Sequence, residues 1–357
     1  MGHVKKLSVV FSAILLWVAI PAVTASAVAL GQSCTSSPLG TRVSIRISGK
    51  PVIVVCRKVS NRKRWIRAAM QTIATTTTTT STTSTTTSVP EPVTNYSVTI
   101  DPNDPTLHTI TIEGQQPRTF ILVKPENMTT ETPIPLLLGF HGRTASGEFF
   151  RNNSQIDTFV SAMNFIAVYI DGSIDQLSSW NAGLCCTPAI TNQIDDVGLV
   201  STLIDYLKTK YTIDTTRIWA VGHSNGGMMS YRLACDLSEK ITAIAIVGGA
   251  LTDDSCTPSK SVSILHIHGD TDPTVPFAGG GKFDTPSIVS SVIKPNSGFS
   301  CDTASSEITP IARVDQYLWN CQNGVQTKVM NYLDNGHEWI FDYTKIILRF
   351  LFAHPRK

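Results

Sequence analysis

The strongest chemical signal in the sequence is a serine set between glycines, in the string Gly222-His223-Ser224-Asn225-Gly226. The apolar run Arg217–Val221 before it is typical of a strand, and Gly226–Cys235 after it is typical of a helix. A sharp strand-to-helix turn projects a serine hydroxyl above the sheet, and the flanking glycines leave room for that turn. The amide of Asn225 then lies near a helix N-terminus, where it could stabilise an oxyanion. The pattern predicts Ser224 as a nucleophile, against the alternative of a tight glycine turn with an idle serine.

A serine hydroxyl is a weak nucleophile and needs a base that is itself oriented by an acid. In folds that carry this turn, the chain order is Ser, then Asp or Glu, then His. The predicted strand Val262–His268 is followed by two carboxylates, and we predict Asp272 as the orienting acid, with Asp270 as the second choice. His337 follows the predicted strand Val325–Tyr332, which is where the base belongs. The carboxylate that is not used is expected to cap a turn.

The other histidines near these motifs are interpreted as structural. His266 and His268 alternate along one strand and so point to the same face. His354 lies almost at the C-terminus, and the side chain of His223 should point away from its neighbour Ser224.

A second oxyanion donor is expected after the short apolar strand Pro135–Phe140. His141-Gly142-Arg143-Thr144 follows it, and Gly142 permits close backbone approach. The Arg143 amide is the predicted donor, with the Thr144 amide left open as the alternative. Trp180 and Trp339 are predicted to wall a substrate pocket, although an ordinary core role is equally compatible with each. The mechanism that these residues imply needs neither a metal nor an organic cofactor.

Strands and helices alternate from about Asn95 onward, which predicts an α/β domain with a mostly parallel sheet covered on both faces. Chemistry in such sheets lies at the carboxyl ends of the strands. Beyond the elements already named, the predicted strands are Thr109–Glu113, Thr119–Lys124, Phe165–Ile170 and Ile241–Val247. The further predicted helices are Phe149–Met163, Asp195–Tyr211 and Tyr343–Phe352.

The N-terminal part of the chain has a different composition. Residues 1–29 are predicted to be a secretory signal, with Lys5 and Lys6 before the apolar stretch Leu7–Ile20 and small residues at the cleavage site. Residues 30–69 are predicted to form a small basic β-rich module with a hairpin of Arg42–Ile47 and Pro51–Cys56. Residues 70–93 are interpreted as a Thr/Ser-rich linker, and residues 94–357 as the catalytic domain. No membrane span is expected after signal cleavage.

Charge separates these parts further. All 27 acidic residues lie from Glu91 onward, together with 18 of the 29 basic residues, so this region carries a net charge of −9. Nine basic residues lie between Arg42 and Arg67. That cluster could hold an anionic envelope polymer, with a solvated cationic surface as the alternative; nucleic acid is not expected as a partner of an exported chain.

Eight cysteines in an exported chain predict disulfides. Proximity favours Cys34 with Cys56 and Cys301 with Cys321. The remaining four are expected to pair in some order: Cys185, Cys186, Cys235 and Cys256. The adjacent pair is interpreted as a clamp on its loop, and a bond between the two neighbours is an uncommon arrangement.

Several strings together resemble one family. They are Phe140-His141-Gly142, Trp180-Asn181-Ala182-Gly183, Cys185-Cys186, Asp195-Asp196-Val197-Gly198, Gly222–Met229, His268–Asp272 with Val275-Pro276, and Gly336-His337 with Trp339. From roughly Thr109 to Phe352 the sequence resembles the secreted polyhydroxybutyrate depolymerase and feruloyl esterase group of α/β-hydrolases. The resemblance implies the α/β-hydrolase fold, a serine esterase acting on polyester or plant-wall feruloyl or acetyl esters, and a triad of Ser224, Asp272 and His337. The sequence departs from the family pattern at Arg143, Glu338 and Ile340, which bears on the choice of ester.

Two other functions fit parts of the sequence. A serine peptidase could use the same fold, although no propeller or cap domain that would select peptides is evident. An envelope-binding protein with an inactive hydrolase domain would explain the basic module, but the intact set of Ser224, Asp272 and His337 argues against it.

Overall fold

The computed structural model describes residues 42–47, 50–59, 62–67, 95–129, 131–173, 177–183, 185–252, 256–288, 292, 313–321 and 324–357. The predicted signal 1–29 and linker 70–93 therefore lie outside the described residues. The chain divides into two units, Met1–Thr86 and Thr87–Lys357. Each is described by itself.

The described part of the first unit is a three-stranded antiparallel sheet. Its strands are β1 (Arg42–Ile47), β2 (Lys50–Val59) and β3 (Arg62–Arg67), in the order β1-β2-β3. Strands β1 and β2 pair from Arg42 opposite Val55 to Ile47 opposite Lys50, which confirms the predicted hairpin. Strand β3 was not predicted, because its run of cations hides the β pattern.

The second unit is built on a sheet whose ten described strands lie in the order β12-β13-β11-β10-β9-β7-β8-β6-β5-β4. The six consecutive strands from β13 to β8 are parallel to one another, and the strands outside them at both edges, β12 on one side and β6, β5 and β4 on the other, pair antiparallel. The strands are β4 (Tyr96–Ile100), β5 (Leu107–Ile112), β6 (Arg118–Val123), β7 (Ile134–Phe140), β8 (Ile166–Ile170), β9 (Ile213–His223), β10 (Ala243–Val247), β11 (Ser263–Gly269), β12 (Val314–Asn320) and β13 (Gln326–Tyr332).

Described helices cover both faces of this sheet. They are α1 (Gly147–Ser154), α2 (Asp157–Met163), α3 (Asp196–Lys210), α4 (Asn225–Asp236) and α5 (Phe341–Ala353). Two apolar clusters follow from this layering, one that includes residues of α3 and α4 and another that includes residues of α1, α2 and α5. Strands β7, β8, β10 and β11 are buried at every position, as expected for parallel strands packed on both sides. The predicted α/β-hydrolase architecture is confirmed.

Three details differ from the sequence expectations. The single helix predicted over Phe149–Met163 is wrong: Gln155 adopts a left-handed conformation with φ 52°, and its amide bonds to the Arg151 carbonyl, which ends α1. The edge strands β4 and β12 were not predicted. Both are largely half-buried or exposed, so neither carries a strong apolar signature.

Two disulfides lie wholly within the described residues. One joins the neighbours Cys185 and Cys186, and the other joins Cys235 and Cys256. Of the predicted pairs Cys34–Cys56 and Cys301–Cys321, one member of each lies outside the described residues, and both stay predictions. Within the described ranges, no helix is both long enough and apolar enough to cross a bilayer.

Candidate active site

Ser224 lies between the end of β9 and the start of α4, in a turn that only glycine neighbours permit. It has φ 55° and ψ −121°, an unusual conformation for a residue with a side chain. A Cβ added at Gly222 would collide with the backbone of Gly226, and a Cβ added at Gly226 would collide with the Phe140 carbonyl. The two glycines are therefore required by close backbone approach, and the turn presents the Ser224 hydroxyl at the carboxyl edge of the sheet.

The structure brings together the three residues that the sequence singled out from separate strand ends. Ser224 Oγ lies 2.8 Å from His337 Nε2, and His337 Nδ1 lies 2.6 Å from Asp272 Oδ2. Because a carboxylate only accepts, Nδ1 carries the proton and Nε2 accepts from the serine hydroxyl. In this tautomer His337 can take the serine proton as the oxygen attacks a carbonyl carbon.

Asp272 is held in place by hydrogen bonds on both oxygens. Its Oδ1 accepts from the amides of Thr274 and Val275 at 2.8 and 2.9 Å. Burial favours the neutral acid, but hydrogen bonds from His268, His337 and the Val275 amide outweigh it and lower the pKa of Asp272 well below its usual range. The acid is therefore ionised at neutral pH, as an orienting carboxylate must be.

Asp270, the second choice for the acid, has another role. It is exposed, and its Oδ1 accepts from the Asp334 amide at 2.7 Å. Asp334 adopts φ 64°. Asp270 thus caps the turn that leads from β13 toward His337, which is the structural alternative expected for the carboxylate that is not used.

Among the two amides considered after β7, hydrogen bonding favours Arg143. The Thr144 amide donates to the Ser178 carbonyl at 2.7 Å, and Thr144 adopts φ 67°. An amide engaged in this way is not free for a substrate oxygen. The Arg143 side chain turns aside, where its Nε donates to the Thr187 carbonyl at 3.0 Å. A Cβ added at Gly142 would lie 3.4 Å from Ser224 Cβ, so this loop passes close to Ser224.

Both predicted pocket tryptophans are buried, which favours the core role left open for each, and the pocket-wall role stays a prediction. Trp180 is fully buried, packs edge-to-face on Phe140, and donates from Nε1 to the His141 carbonyl at 2.9 Å. Trp339 is also buried; it packs on Phe150 and donates to Thr344 Oγ1 at 3.1 Å. Each tryptophan packs in the core and holds its own loop through a hydrogen bond, as in the core role that the sequence left open.

The loop that carries Trp180 is tied to the nucleophile turn and to α3. The Trp180 amide donates to Asn225 Oδ1 at 2.8 Å, and the Asn181 amide donates to Asp196 Oδ2 at 2.7 Å. Asp196 is itself buried and paired with Arg118 at 3.1 Å. These contacts hold the segments around Trp180 and Asp196 against each other.

Three residues near the triad were missed as contributors. His223 donates from Nε2 to the His337 carbonyl at 3.2 Å. Burial, and to a lesser degree repulsion from His337, lowers the pKa of His223 to about 4. Gly248, with φ 60°, leaves space that a Cβ would take from His337 and Asp272. His268 approaches Asp272. The only sequence signal was position, since each lies at or directly after a strand end.

Among the described residues, no group of three or more His, Cys, Asp and Glu side chains is arranged to hold a metal ion. What the described groups offer is a hydroxyl nucleophile, a base with a fixed tautomer, an ionised acid and two backbone amides. This set is suited to acyl transfer.

Comparison with known proteins points to the same chemistry. Residues 189–296 match the family model described as Phospholipase/Carboxylesterase. Feruloyl esterase B of Piromyces equi is 29% identical over 233 residues, which cover 61% of this chain and 42% of that protein. The bifunctional acetylxylan esterase/xylanase XynS20E of Neocallimastix patriciarum is 26% identical over 219 residues, or 60% of this chain and 30% of that protein. The chain thus spans less than half the length of each of these relatives.

A solved structure supports the fold. The acetyl xylan esterase from Aspergillus awamori superposes with a TM-score of 0.51 at 14% sequence identity, covering 72% of this chain and 99% of that one. At this identity the likeness bears on architecture alone. The fold is thus that of the α/β-hydrolases, and the matched family model and the curated relatives carry the names of esterases.

Proposed function

We propose that the chain is a serine esterase that hydrolyses carboxylic esters through a covalent acyl-enzyme. Ser224 Oγ attacks the ester carbonyl carbon while His337 Nε2 takes the hydroxyl proton and Asp272 stabilises the resulting imidazolium. The amides of Asn225 and Arg143 donate to the oxyanion. His337 then protonates the departing alcohol, and a water molecule, deprotonated by the same imidazole, releases the acid and restores Ser224.

The observation that carries this proposal is the unbroken hydrogen-bonded series from Ser224 through His337 to Asp272, at 2.8 and 2.6 Å. A serine on a strained turn without a base would be an ordinary turn residue. Here the base is in reach, its tautomer is set by an ionised carboxylate, and the strained conformation of Ser224 has a purpose.

We further propose that the natural esters are feruloyl or acetyl groups on plant-wall polysaccharide. The names of the curated relatives, a feruloyl esterase and an acetylxylan esterase, support this choice. Polyhydroxybutyrate is the competing substrate, suggested by the family resemblance of the sequence. Such polymers lie outside the cell, in keeping with the secretory signal predicted over residues 1–29.

The basic module is proposed to bring the enzyme to an anionic envelope polymer. The register of β2 and β3 places Arg57 opposite Arg64 and Lys58 opposite Lys63. The nine basic residues between Arg42 and Arg67 give this part of the chain a positive charge that would attract an anionic polymer. This partner stays a prediction.

Hydrolysis of p-nitrophenyl acetate and butyrate tests the proposed activity. The wild-type protein and a control variant, Ser97→Ala on the exposed edge strand β4, should turn over these esters at similar rates, and Ser224→Ala should be inactive. Equal rates for wild type and Ser224→Ala would exclude this mechanism. A panel of methyl ferulate, acetylated xylan, short-chain polyhydroxybutyrate and a peptide p-nitroanilide then ranks the substrates, and preference for the peptide would favour a peptidase.

A further inference from the structure

A series of buried polar side chains leads from Asp272 into the protein interior. Tyr231 lies on α4, and His266 and His268 lie on β11. Tyr231 Oη is 2.8 Å from His266 Nδ1, and His266 Nε2 is 2.8 Å from His268 Nδ1. His268 Nε2 lies 2.6 Å from the Val275 carbonyl and 3.4 Å from Asp272 Oδ2. The two imidazoles are nearly parallel, at 7°.

The Val275 carbonyl at the end of this series sets the direction of the hydrogen bonds that lead to it. A carbonyl oxygen can only accept, so His268 Nε2 carries a proton and points it at Val275 and Asp272. When each ring carries a single proton, His268 accepts at Nδ1 from His266 Nε2–H, and His266 in turn accepts at Nδ1 from the Tyr231 hydroxyl. A single consistent set of tautomers therefore satisfies all three side chains.

Burial favours the neutral forms of Tyr231 and His266. Tyr231, His266 and His268 are each at most 1% exposed. Burial raises the pKa of Tyr231, and burial together with the neighbouring His268 lowers the pKa of His266 well below its usual value. A buried polar group without a partner is costly, so the loss of any one of these hydrogen bonds would be unfavourable.

His268 restrains the catalytic acid in two ways. Its N–H faces Asp272 Oδ2, the same oxygen that receives His337 Nδ1–H. It also holds the carbonyl of Val275, whose amide donates to Asp272 Oδ1. The imidazole of His268 therefore contacts one carboxylate oxygen directly and bears on the other through the backbone of Val275.

We propose that His268 is a positioning residue for Asp272, and that Tyr231 and His266 lock its imidazole in the donating tautomer. The proposal rests on the serine esterase function proposed above. None of the three touches the ester; they act through Asp272 on the orientation of His337. A base that is misplaced by about 1 Å can lose on the order of 10²-fold in rate.

Four variants test this in the full-length protein. His268→Phe removes the N–H and keeps a ring of similar size. His268→Gln keeps a side-chain N–H near the position of Nε2, and Tyr231→Phe removes one hydroxyl. His108→Phe is the matched control, because His108 is a buried imidazole on β5 that takes no part in the series. Active sites are counted with an organophosphate ester, so that kcat refers to folded enzyme.

Two measurements separate positioning from a purely structural role. For p-nitrophenyl butyrate, kcat should fall by about 10²-fold in His268→Phe with KM unchanged, largely recover in His268→Gln, and fall less in Tyr231→Phe. The low-field proton signal of His337 Nδ1–H should be displaced or lost in His268→Phe. The control should keep both wild-type kcat and the signal.

Wild-type kcat and an unmoved signal in folded His268→Phe would overturn the proposal. If His268→Phe does not fold, wild-type kcat and an unmoved signal in Tyr231→Phe would overturn it. If wild type proves inactive on every ester while the proton signal still moves in His268→Phe, the esterase function fails and the positioning role stands.

Discussion

Asn225 and Trp180 bond to each other reciprocally. The Trp180 amide donates to Asn225 Oδ1 at 2.8 Å, and Asn225 Nδ2 donates to the Trp180 carbonyl at 3.2 Å. The same asparagine supplies one proposed oxyanion amide from its backbone. One residue therefore joins the nucleophile turn to the loop that follows β8, and its side chain fixes the direction of its own amide.

Replacing this side chain should impair both stability and rate. Asn225→Ala leaves a buried amide and carbonyl of Trp180 without a side-chain partner, which is expected to cost about 1–3 kcal/mol in unfolding free energy. Because the oxyanion amide also loses its restraint, kcat should fall by about tenfold or more. Urea unfolding and ester kinetics measure the two effects. Asn153→Ala, an exposed position on α1, is the control and should change neither; a stable Asn225→Ala with full kcat would contradict the assigned role.

Replacement by asparagine should impair catalysis at Asp272 but not at Asp270. Asp272→Asn should lower kcat by roughly 10⁴-fold, since an amide cannot hold His337 in the working tautomer. Asp270→Asn should keep kcat close to wild type and lower stability by about 1 kcal/mol or less, through the bond to the Asp334 amide. Steady-state kinetics on both variants decide between them. A larger loss of kcat in Asp270→Asn would reverse the assignment.

These comparisons also show how far the sequence leads. Ser224, Asp272 and His337 could be located because each follows a predicted strand, and the carboxyl ends of parallel strands meet at one edge of the sheet. The turn around Ser224 depends on adjacent residues, so it could be predicted from the sequence. The central strands were likewise recognisable from their continuous apolar runs.

What the sequence could not supply is contact between distant segments. The hydrogen bond between Trp180 and Asn225 joins residues 45 positions apart, and neither local sequence pattern predicts it. The burial of both tryptophans depends on which side of a loop faces the core, so a pocket wall and a core residue have the same signature. The break at Gln155 rests on one left-handed residue inside a helix-compatible run.

The two described disulfides should differ in what they protect. Cys235 and Cys256 are 21 residues apart, and removing this bond by a double alanine substitution should cost about 3 kcal/mol of stability through unfolded-chain entropy. Cys185 and Cys186 close almost no loop. Their bond instead lies where the Cys186 amide donates to the Trp180 carbonyl at 3.1 Å.

Removal of the vicinal pair should therefore affect rate more than stability. In the Cys185→Ala/Cys186→Ala variant we expect kcat to fall by about tenfold, because the loop that holds Asn225 is loosened, with a midpoint of thermal unfolding near that of wild type. Thermal scans and ester kinetics on both double variants check this contrast. It fails if the vicinal variant loses stability and keeps its kcat.

His108 should make the protein less stable in acid. It is buried on β5 and stacked on Phe120, and neither ring nitrogen has a hydrogen bond of normal geometry. Burial lowers its pKa below the usual 6.5 despite the nearby Pro105 carbonyl. The unfolded chain therefore binds the proton first as pH falls, and stability present above about pH 6.5 is lost progressively below it.

The variant His108→Phe removes this titration. Its unfolding midpoint should fall less than that of wild type between pH 7 and pH 5, while ester hydrolysis at pH 7 stays unchanged. Thermal unfolding at several pH values provides the test. Parallel curves for the two proteins would show that His108 does not titrate on unfolding in this range.

The central claim is that Ser224 is an activated nucleophile, and covalent labelling tests it most directly. The wild-type protein is treated with a fluorophosphonate and mapped by peptide mass spectrometry. The triad geometry predicts one adduct per chain, on Ser224, with labelling abolished in His337→Ala. A folded protein that takes no label, or takes it equally with and without His337, would contradict the account.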